Sequence, residues 1–262
     1  MYNQKIVRDL FEKWGYEEIK GDPGETSSRW AIPHINHMIL DRWLPREGCA
    51  LDAGCGLGVE AVRMARRGLT VTAIDISMSL LRHAQRRAEI AGLKDRISFL
   101  RADITEPLPL PEGRFFACIA MTGVISHTGE RHKNALSNLV TLVKPGGRII
   151  LGAQSYYGKI RQCLTEGRLD DAEHLAETCL THTVDTTFED YCFKPQELMD
   201  LLRELNCSPL VMLSAPTVGA SGYASEELLR RALALERRFL GTPELSGGGE
   251  ELIGVFQKSD RD

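Results

Sequence analysis

The spacing of apolar residues changes repeatedly along the chain, from about residue 49 onwards. Short apolar runs alternate with stretches that carry apolar residues at helical spacing, such as Leu80, Leu81, Ala84 and Ala88. The runs lie at 49–55, 69–75, 97–103, 115–123 and 148–154. Continuous apolar runs of this length predict buried parallel strands, and the alternation predicts a parallel sheet with helices on both faces.

Capping and breaking residues support this division. Ser77 is a helix N-cap candidate, Gly92 suits the left-handed end of the same helix, and Pro195 and Ser225 open two later helices. Further apolar runs at 209–215 and 251–258 predict the final strands. The pattern therefore predicts a doubly wound α/β fold with a mostly parallel, seven-stranded sheet.

Two regions lie outside the repeating pattern. Residues 1–45 predict helices that precede the sheet and form a helical cap, and residues 46–262 form the α/β domain. Within that domain, 155–193 has no clear period and is too long for an ordinary connection. We expect this insertion after the fifth strand to form a lid over the acceptor site.

Charge and composition restrict the partners. A net charge of −4 and a pI near 6.0 argue against broad contact with nucleic-acid phosphates. The sequence has no apolar run of about 18 residues, and its polar start lacks a signal-peptide core. The seven scattered cysteines predict neither a disulfide framework nor a zinc site. We expect a cytoplasmic monomer or homodimer that contacts neither membrane nor nucleic acid.

The sharpest chemical signal is a glycine-rich turn after the first strand, in LDAGCGLG at 51–58. Gly54, Gly56 and Gly58 let backbone N–H groups approach a ligand beside the positive end of a helix. A dinucleotide motif would place Gly or Ala where the chain has Val59. The alternating glycines preceded by Asp52 fit a different ligand better.

This motif resembles the first motif of the class I S-adenosylmethionine-dependent methyltransferases, and the similarity continues through Asp75, Asp103 and the Lys144-Pro145-Gly146-Gly147 turn, over about residues 48–154. The resemblance implies a Rossmann-like fold and S-adenosylmethionine as cofactor, with S-adenosylhomocysteine as product. It also implies that Asp75 binds the ribose hydroxyls, and that Asp103 meets the adenine amine between Ile76 and Ile104. The implied cofactor residues are Asp52, Gly54, Cys55, Gly56, Gly58, Asp75, Ile76, Ala102, Asp103, Ile104, Met121 and Thr122.

Several side chains are candidates for the remaining roles. His127, just after the fourth strand, is the candidate general base, and Tyr156 and Tyr157 are candidate contacts of the acceptor. Arg29 is a candidate partner of the cofactor carboxylate. The polar residues His174, His182, Asp185, Glu189 and Asp190 match no metal-ligand spacing, so we expect a solvated loop and no metal.

Two motifs that are missing from the sequence limit the class of acceptor molecule. AMTG at 120–123 replaces the Pro-Pro-aromatic motif of enzymes that methylate planar amino groups, and it holds no Pro-Cys nucleophile. The prediction is methyl transfer to an O, N or C nucleophile of a small molecule. Three alternatives stay open: a cyclase or lyase that releases methylthioadenosine, a catalytically silent binding module, and a nicotinamide dehydrogenase.

Overall fold

The computed structural model describes residues 3–20, 31–182, 188–217, 224–240, 242 and 248–260, with the backbone only for 14–20. The strands are β1 Cys49–Ala53, β2 Thr70–Asp75, β3 Ile97–Arg101, β4 Phe115–Ala120, β5 Val143–Gln154, β6 Leu180–His182, β7 Glu189–Tyr191, β8 Cys207–Ala215 and β9 Glu251–Lys258. The α-helices are α1 Gln4–Lys20, α2 Ala31–Trp43, α3 Val59–Arg66, α4 Met78–Ile90, α5 His132–Leu142, α6 Tyr156–Thr165, α7 Leu169–Thr178, α8 Pro195–Glu204 and α9 Glu226–Phe239. Short 3₁₀ turns span Lys94–Arg96 and Ser126–Arg131.

Seven strands form one sheet in the order β3-β2-β1-β4-β5-β9-β8. The first five strands pair in parallel, and β9 runs antiparallel to both β5 and β8. The predicted doubly wound, mostly parallel, seven-stranded sheet is confirmed. β5 begins at Val143 rather than at 148, because Val143 already pairs with Phe115 of β4, and the Pro-Gly-Gly segment forms an irregularity before Arg148 pairs with Ala117.

Each face of the sheet is covered by its own helices. Successive strand residues point to opposite faces, so Ala50 packs in one core with α2, α3, α4 and α9. Leu51 packs in the second core with α5 and α8. Because both faces are buried, the central strands are continuous apolar runs instead of alternating ones.

The predicted caps also form. The Ser77 hydroxyl accepts a hydrogen bond from the Leu80 N–H at the start of α4, and Ser225 does the same for Leu228 at the start of α9. Each bond satisfies one of the four N–H groups that a helix leaves without an internal partner. Among the described residues, the helices lack the combination of length and apolar character that a bilayer span needs.

The segment between β5 and α8 is more regular than the sequence indicated. It contains the antiparallel helices α6 and α7 and a two-stranded sheet of β6 and β7. The chain then returns to the main sheet, where the Phe193 N–H donates to the Gln154 carbonyl (2.9 Å) and the Tyr156 N–H to the Phe193 carbonyl (2.9 Å). This return brings β7 to the carboxyl end of β5.

Candidate functional site

A cavity of about 330 Å³ opens where β1 to β4 end, and its volume lies in the range of roughly 300 to 1,000 Å³ typical of small-molecule sites. Nine predicted residues line it: Gly54, Gly56, Asp75, Ile76, Ala102, Asp103, Ile104, Thr122 and His127. Five more complete the wall: Val7, Phe11, Leu80, Val124 and Thr128. Carboxyl ends of parallel strands are the usual place for a ligand in a doubly wound sheet.

The glycine turn forms one wall, and its glycines meet different surroundings. A Cβ at Gly54 would overlap the Val124 side chain, and one at Gly58 would lie 2.7 Å from the Ala84 Cβ of α4. At Gly56 a Cβ would meet no atom within 4 Å, and this residue lines the cavity with a left-handed φ of +49°. The turn therefore packs tightly against neighbouring side chains at Gly54 and Gly58. At Gly56 it is open to the cavity, where a ligand can approach the backbone.

Asp75 stands opposite this turn at the end of β2. Its Oδ2 accepts from the Gly56 N–H (2.8 Å) and its Oδ1 from the Ser77 N–H (2.9 Å), so the carboxylate ties the glycine turn to the start of α4. Burial raises the pKa of this carboxyl. Each carboxylate oxygen can accept a second hydrogen bond, so Asp75 can still bind a diol.

Asp103 follows β3 on the next strand along. Its Oδ1 accepts from the Thr105 N–H (2.8 Å), which fixes the turn after the strand. Ile76 and Ile104 line the cavity beside it. The position therefore offers an acidic edge between two aliphatic side chains, a suitable place for a flat heterocycle that carries an amine.

Four predicted cofactor residues do not line this cavity: Asp52, Cys55, Gly58 and Met121. Asp52 is buried, and its Oδ2 has no hydrogen-bond partner among the described residues. Burial, followed by the nearby Glu60 and Asp75 charges, raises the pKa of this carboxyl well above its ordinary value. Burial likewise raises the pKa of the Cys55 thiol, so this thiol is no nucleophile.

Helix α1 covers the cavity from the other side. Val7 and Phe11 contribute to its lining. The next turn of the helix is anchored, because the Glu12 carboxylate accepts from the Met78 N–H (2.8 Å) and the Ser79 N–H (3.0 Å) at the start of α4. A carboxylate at a helix N-terminus is favourable both for its hydrogen bonds and for the helix dipole. Only the fold brings these residues to the site.

A buried carboxylate supports the wall formed by Thr122. This threonine has a left-handed φ of +54°, and its N–H donates to Glu251 Oε1 (2.9 Å). Glu251 Oε2 accepts from Asn36 Nδ2 (3.3 Å), and Gly152 leaves room for the carboxylate because a Cβ there would overlap it. Burial raises the pKa of Glu251 to about 7. Sequence reasoning missed this group.

His127 reaches the cavity from the loop after β4. Its Nδ1 lies 2.8 Å from Asp190 Oδ1, and Asp190 is fully buried. The expectation of a solvated polar loop is therefore wrong for Asp190, because β7 returns beside β5 and covers it. His174 and His182 are solvated, with side chains that are 43% and 57% exposed, but they lie in α7 and β6 instead of in a loop. The described residues contain no group of three or more potential metal ligands.

The remaining candidates lie away from the cavity. Tyr156 packs within the insertion and donates from its hydroxyl to the Ala176 carbonyl (3.1 Å), and Tyr157 is 53% exposed. Neither lines the cavity. Arg29 and Asp185 lie outside the described residues.

The strand order, the glycine turn and the two strand-end acids define a doubly wound domain with a cavity at the carboxyl ends of its first four strands. Residues 50–147 match the family described as "Methyltransferase domain". Together, the fold and this match over residues 50–147 support a class I S-adenosylmethionine-dependent methyltransferase.

Individual relatives agree with this family over part of their length. An uncharacterized methyltransferase of Mycobacterium tuberculosis is 40% identical over 112 residues, which cover 42% of this chain and 53% of that protein. The S-adenosyl-L-methionine-dependent Diels-Alderase of Neonectria is 31% identical over 134 residues, 51% of this chain and 47% of that protein. The chain thus spans about half the length of these curated relatives.

A solved structure extends the similarity in fold. The S-adenosylmethionine-dependent methyltransferase of Methanosarcina mazei superimposes with a TM-score of 0.63 at 19% identity. The superposition covers 85% of this chain and 98% of the other. At this identity the likeness concerns the fold alone.

Proposed function

We propose that this protein binds S-adenosylmethionine in the cavity at the ends of β1 to β4 and transfers its methyl group to a small molecule. One observation carries the proposal: Gly56 is left-handed, has open space where a Cβ would stand, and faces the cavity next to the Asp75 carboxylate. This cradle fits a ribose and an amino-acid chain that pass close to the backbone.

The other wall residues fit the rest of the cofactor. Asp75 is suited to accept from both ribose hydroxyls, and Asp103 to accept from the adenine amine between Ile76 and Ile104. The sulfonium supplies an electrophilic methyl group, so the chemistry is the cofactor's. The protein's task is to hold the nucleophile in line and to exclude water.

The acceptor side of the proposed site is small and covered. Phe11 of α1 lies with its ring centroid 5.2 Å from that of His127, and Phe188 of the insertion approaches the same ring at 6.2 Å. Helix α1 and the insertion 155–193 therefore act as a cap and a lid that admit a small, partly apolar acceptor. This geometry supports a metabolite more than a polymer as substrate. Cytoplasmic location and a monomeric or dimeric state stay predictions.

Calorimetric titration tests the cofactor assignment. We expect both S-adenosylmethionine and S-adenosylhomocysteine to bind to the purified protein with 1:1 stoichiometry. Mass spectrometry of the spent cofactor then identifies the reaction, since methyl transfer leaves S-adenosylhomocysteine and a lyase or cyclase acting on the cofactor leaves methylthioadenosine. Absence of binding by either compound would contradict the proposal.

A second candidate function is a ring-forming reaction in which the cofactor is bound but not consumed. The observation in its favour is the similarity to the Neonectria Diels-Alderase, which is named as dependent on S-adenosylmethionine. In that case a product would form while the S-adenosylmethionine concentration stays constant. The same mass-spectrometric measurement separates it from methyl transfer.

The ribose assignment predicts the effect of Asp75→Asn. The amide keeps the shape but places its NH₂ group against one of the two N–H donors, Gly56 or Ser77, and it weakens one bond to the ribose. Loss of a hydrogen bond to a charged group costs about 1.5 kcal/mol, so we expect about tenfold weaker binding of S-adenosylhomocysteine. The exposed Asp95→Asn serves as control, and equal affinities of the two variants would disprove the role of Asp75.

A further inference from the structure

We propose that His127 is the catalytic base of the methyl transfer, that Asp190 and Gln154 position it, and that the acceptor is a phenolic or enolic hydroxyl. This inference rests on the proposed function, because it assigns a role beside the same cofactor. It adds a pair of positioning residues from β5 and the insertion, and it defines the class of acceptor.

The hydrogen bonds around His127 form a chain. Nδ1 of the imidazole lies 2.8 Å from Asp190 Oδ1, and the second carboxylate oxygen, Oδ2, accepts from Gln154 Nε2 (2.8 Å). The Gln154 amide is itself oriented, since its Oε1 accepts from the Cys192 thiol (3.9 Å) and its backbone N–H donates to Ser126 Oγ (2.8 Å). Each group in this chain therefore has a defined orientation.

These hydrogen bonds select one tautomer of the His127 imidazole. An ionised carboxylate only accepts hydrogen bonds, and Gln154 already presents a donor to Asp190, so Nδ1 of His127 carries the proton. The proton-free lone pair is then on Nε2. A carboxylate that holds a histidine through Nδ1–H also stabilises the imidazolium that forms when Nε2 takes up a proton.

The space beside Nε2 is kept clear. His127 packs over Gly123, where its N–H donates to the Gly123 carbonyl (3.0 Å). A Cβ at Gly123 would lie 3.5 Å from Nε2 and 3.7 Å from Gln154 Cγ, so Nε2 lies next to a position that carries no side chain. His127 also lines the cavity between two aromatic rings. Because Nδ1 is held by the buried Asp190, the remaining edge of the ring is the part available to a molecule in the cavity.

The base determines the kind of nucleophile. A neutral amine or thioether attacks through its own lone pair, whereas a phenol with a pKa near 10 must lose its proton as it attacks. In the step proposed, the acceptor O–H proton passes to His127 Nε2 while an oxygen lone pair forms the bond to the methyl carbon. The sulfur keeps the electron pair of the broken C–S bond, and the imidazolium later returns its proton to water.

The tautomer can be measured directly by long-range ¹H–¹⁵N NMR of the histidine rings at pH 8, with and without saturating S-adenosylhomocysteine. We expect His127 to be the Nδ1–H form, and we expect Asp190→Leu, which removes the acceptor but keeps a side chain branched at Cγ, to shift it toward the Nε2–H form. Glu189→Gln, one residue away on β7, is the matched control and leaves the His127 signals unchanged. Thermal melts and the affinity for S-adenosylhomocysteine establish that Asp190→Leu is folded.

Activity provides a second readout, in a panel that spans phenols, enolic β-diketones, aliphatic amines and thiols, each with excess S-adenosylmethionine. We expect methylation of hydroxyl members only, and a fall in kcat of roughly 10²- to 10⁴-fold in His127→Gln. Methylation of an amine or thiol at a rate that His127→Gln leaves unchanged would overturn the proposal. An Nε2–H tautomer of His127 in the unmodified protein would also overturn the proposal. If no panel member reacts, this NMR measurement alone tests the proposal.

The two proposals fail in different ways. If neither S-adenosylmethionine nor S-adenosylhomocysteine binds, the proposed function is wrong, whatever the tautomer of His127. If both bind and the His127 tautomer does not depend on Asp190, only the positioning of the base is wrong.

Discussion

Replacing Gly56 with Val will reduce the affinity for S-adenosylhomocysteine by more than about a hundredfold while leaving a folded protein. Two physical effects act together. The new side chain would occupy the open space that faces the cavity, and a branched residue resists the left-handed φ of +49°. Excluding a ligand from direct backbone contact removes several hydrogen bonds at about 0.5 to 1.5 kcal/mol each, together with packing, and about 2.8 kcal/mol is a hundredfold in affinity.

The chain supplies a matched control for the conformational part of this effect. Gly92, after α4, has a φ of +68°, and a Cβ there would also meet no atom within 4 Å, but this glycine does not line the cavity. Gly92→Val should therefore lose a similar free energy of unfolding, about 1 to 2 kcal/mol, with unchanged cofactor affinity. Similar losses of affinity in both variants would mean that strain and not steric exclusion is responsible.

The proposed cofactor side of the cavity could be predicted from the sequence because its signals are local. The strand runs, the glycine turn and the strand-end acids Asp75 and Asp103 are each read within a few residues, and the parallel sheet then brings them to one edge. A buried parallel strand is a continuous apolar run and a turn with φ > 0 requires glycine, so sequence and structure agree where those rules act.

The proposed acceptor side could not be predicted in the same way, because its parts are held by contacts between distant segments. Glu12 and Asp190 are single acids in polar surroundings, and no periodicity distinguishes them from solvated residues. Their roles depend on the docking of α1 against α4 and on the return of β7 beside Gln154. β6 and β7 have three residues each, too few for an alternating pattern to be recognised.

Glu251 is another residue whose burial the sequence does not predict, and here the burial has a larger energetic consequence. A charged residue at the start of an apolar strand suggests an exposed end, yet Glu251 is only 6% exposed and its carboxyl packs against Thr122 and Asn36. Removing a carboxylate from water disfavours the charged form, which is why burial raises the pKa from the ordinary 4.5 to about 7. Its bond to the Thr122 N–H supports the left-handed residue that lines the cavity.

This pKa makes the stability of the protein depend on pH in a defined direction. Between pH 4.5 and 7 the folded state keeps the Glu251 proton that the unfolded chain has lost. The contribution of this proton to the free energy of unfolding is therefore complete below pH 4.5, and it disappears as the pH rises through 7. A difference of 2.5 pH units corresponds to about 3 kcal/mol. We therefore expect Glu251→Gln, which cannot ionise, to be more stable than the unmodified protein by up to about 3 kcal/mol at pH 8 and nearly equal to it at pH 4.5.

Denaturant unfolding of both proteins from pH 4.5 to 8.5 measures this difference. Taking the variant minus the unmodified protein cancels the contributions of other buried acids such as Asp52, which are present in both. The glutamine also keeps an acceptor for the Thr122 N–H. Its NH₂ group takes the place of Oε2, and a flip of the Asn36 amide then presents Oδ1, which has no partner among the described residues, to this donor. Glu250→Gln, on the adjacent residue, should show no such pH-dependent gain. Parallel curves for Glu251→Gln and the unmodified protein would mean that Glu251 is ionised throughout, and that the support of Thr122 comes from a charged carboxylate.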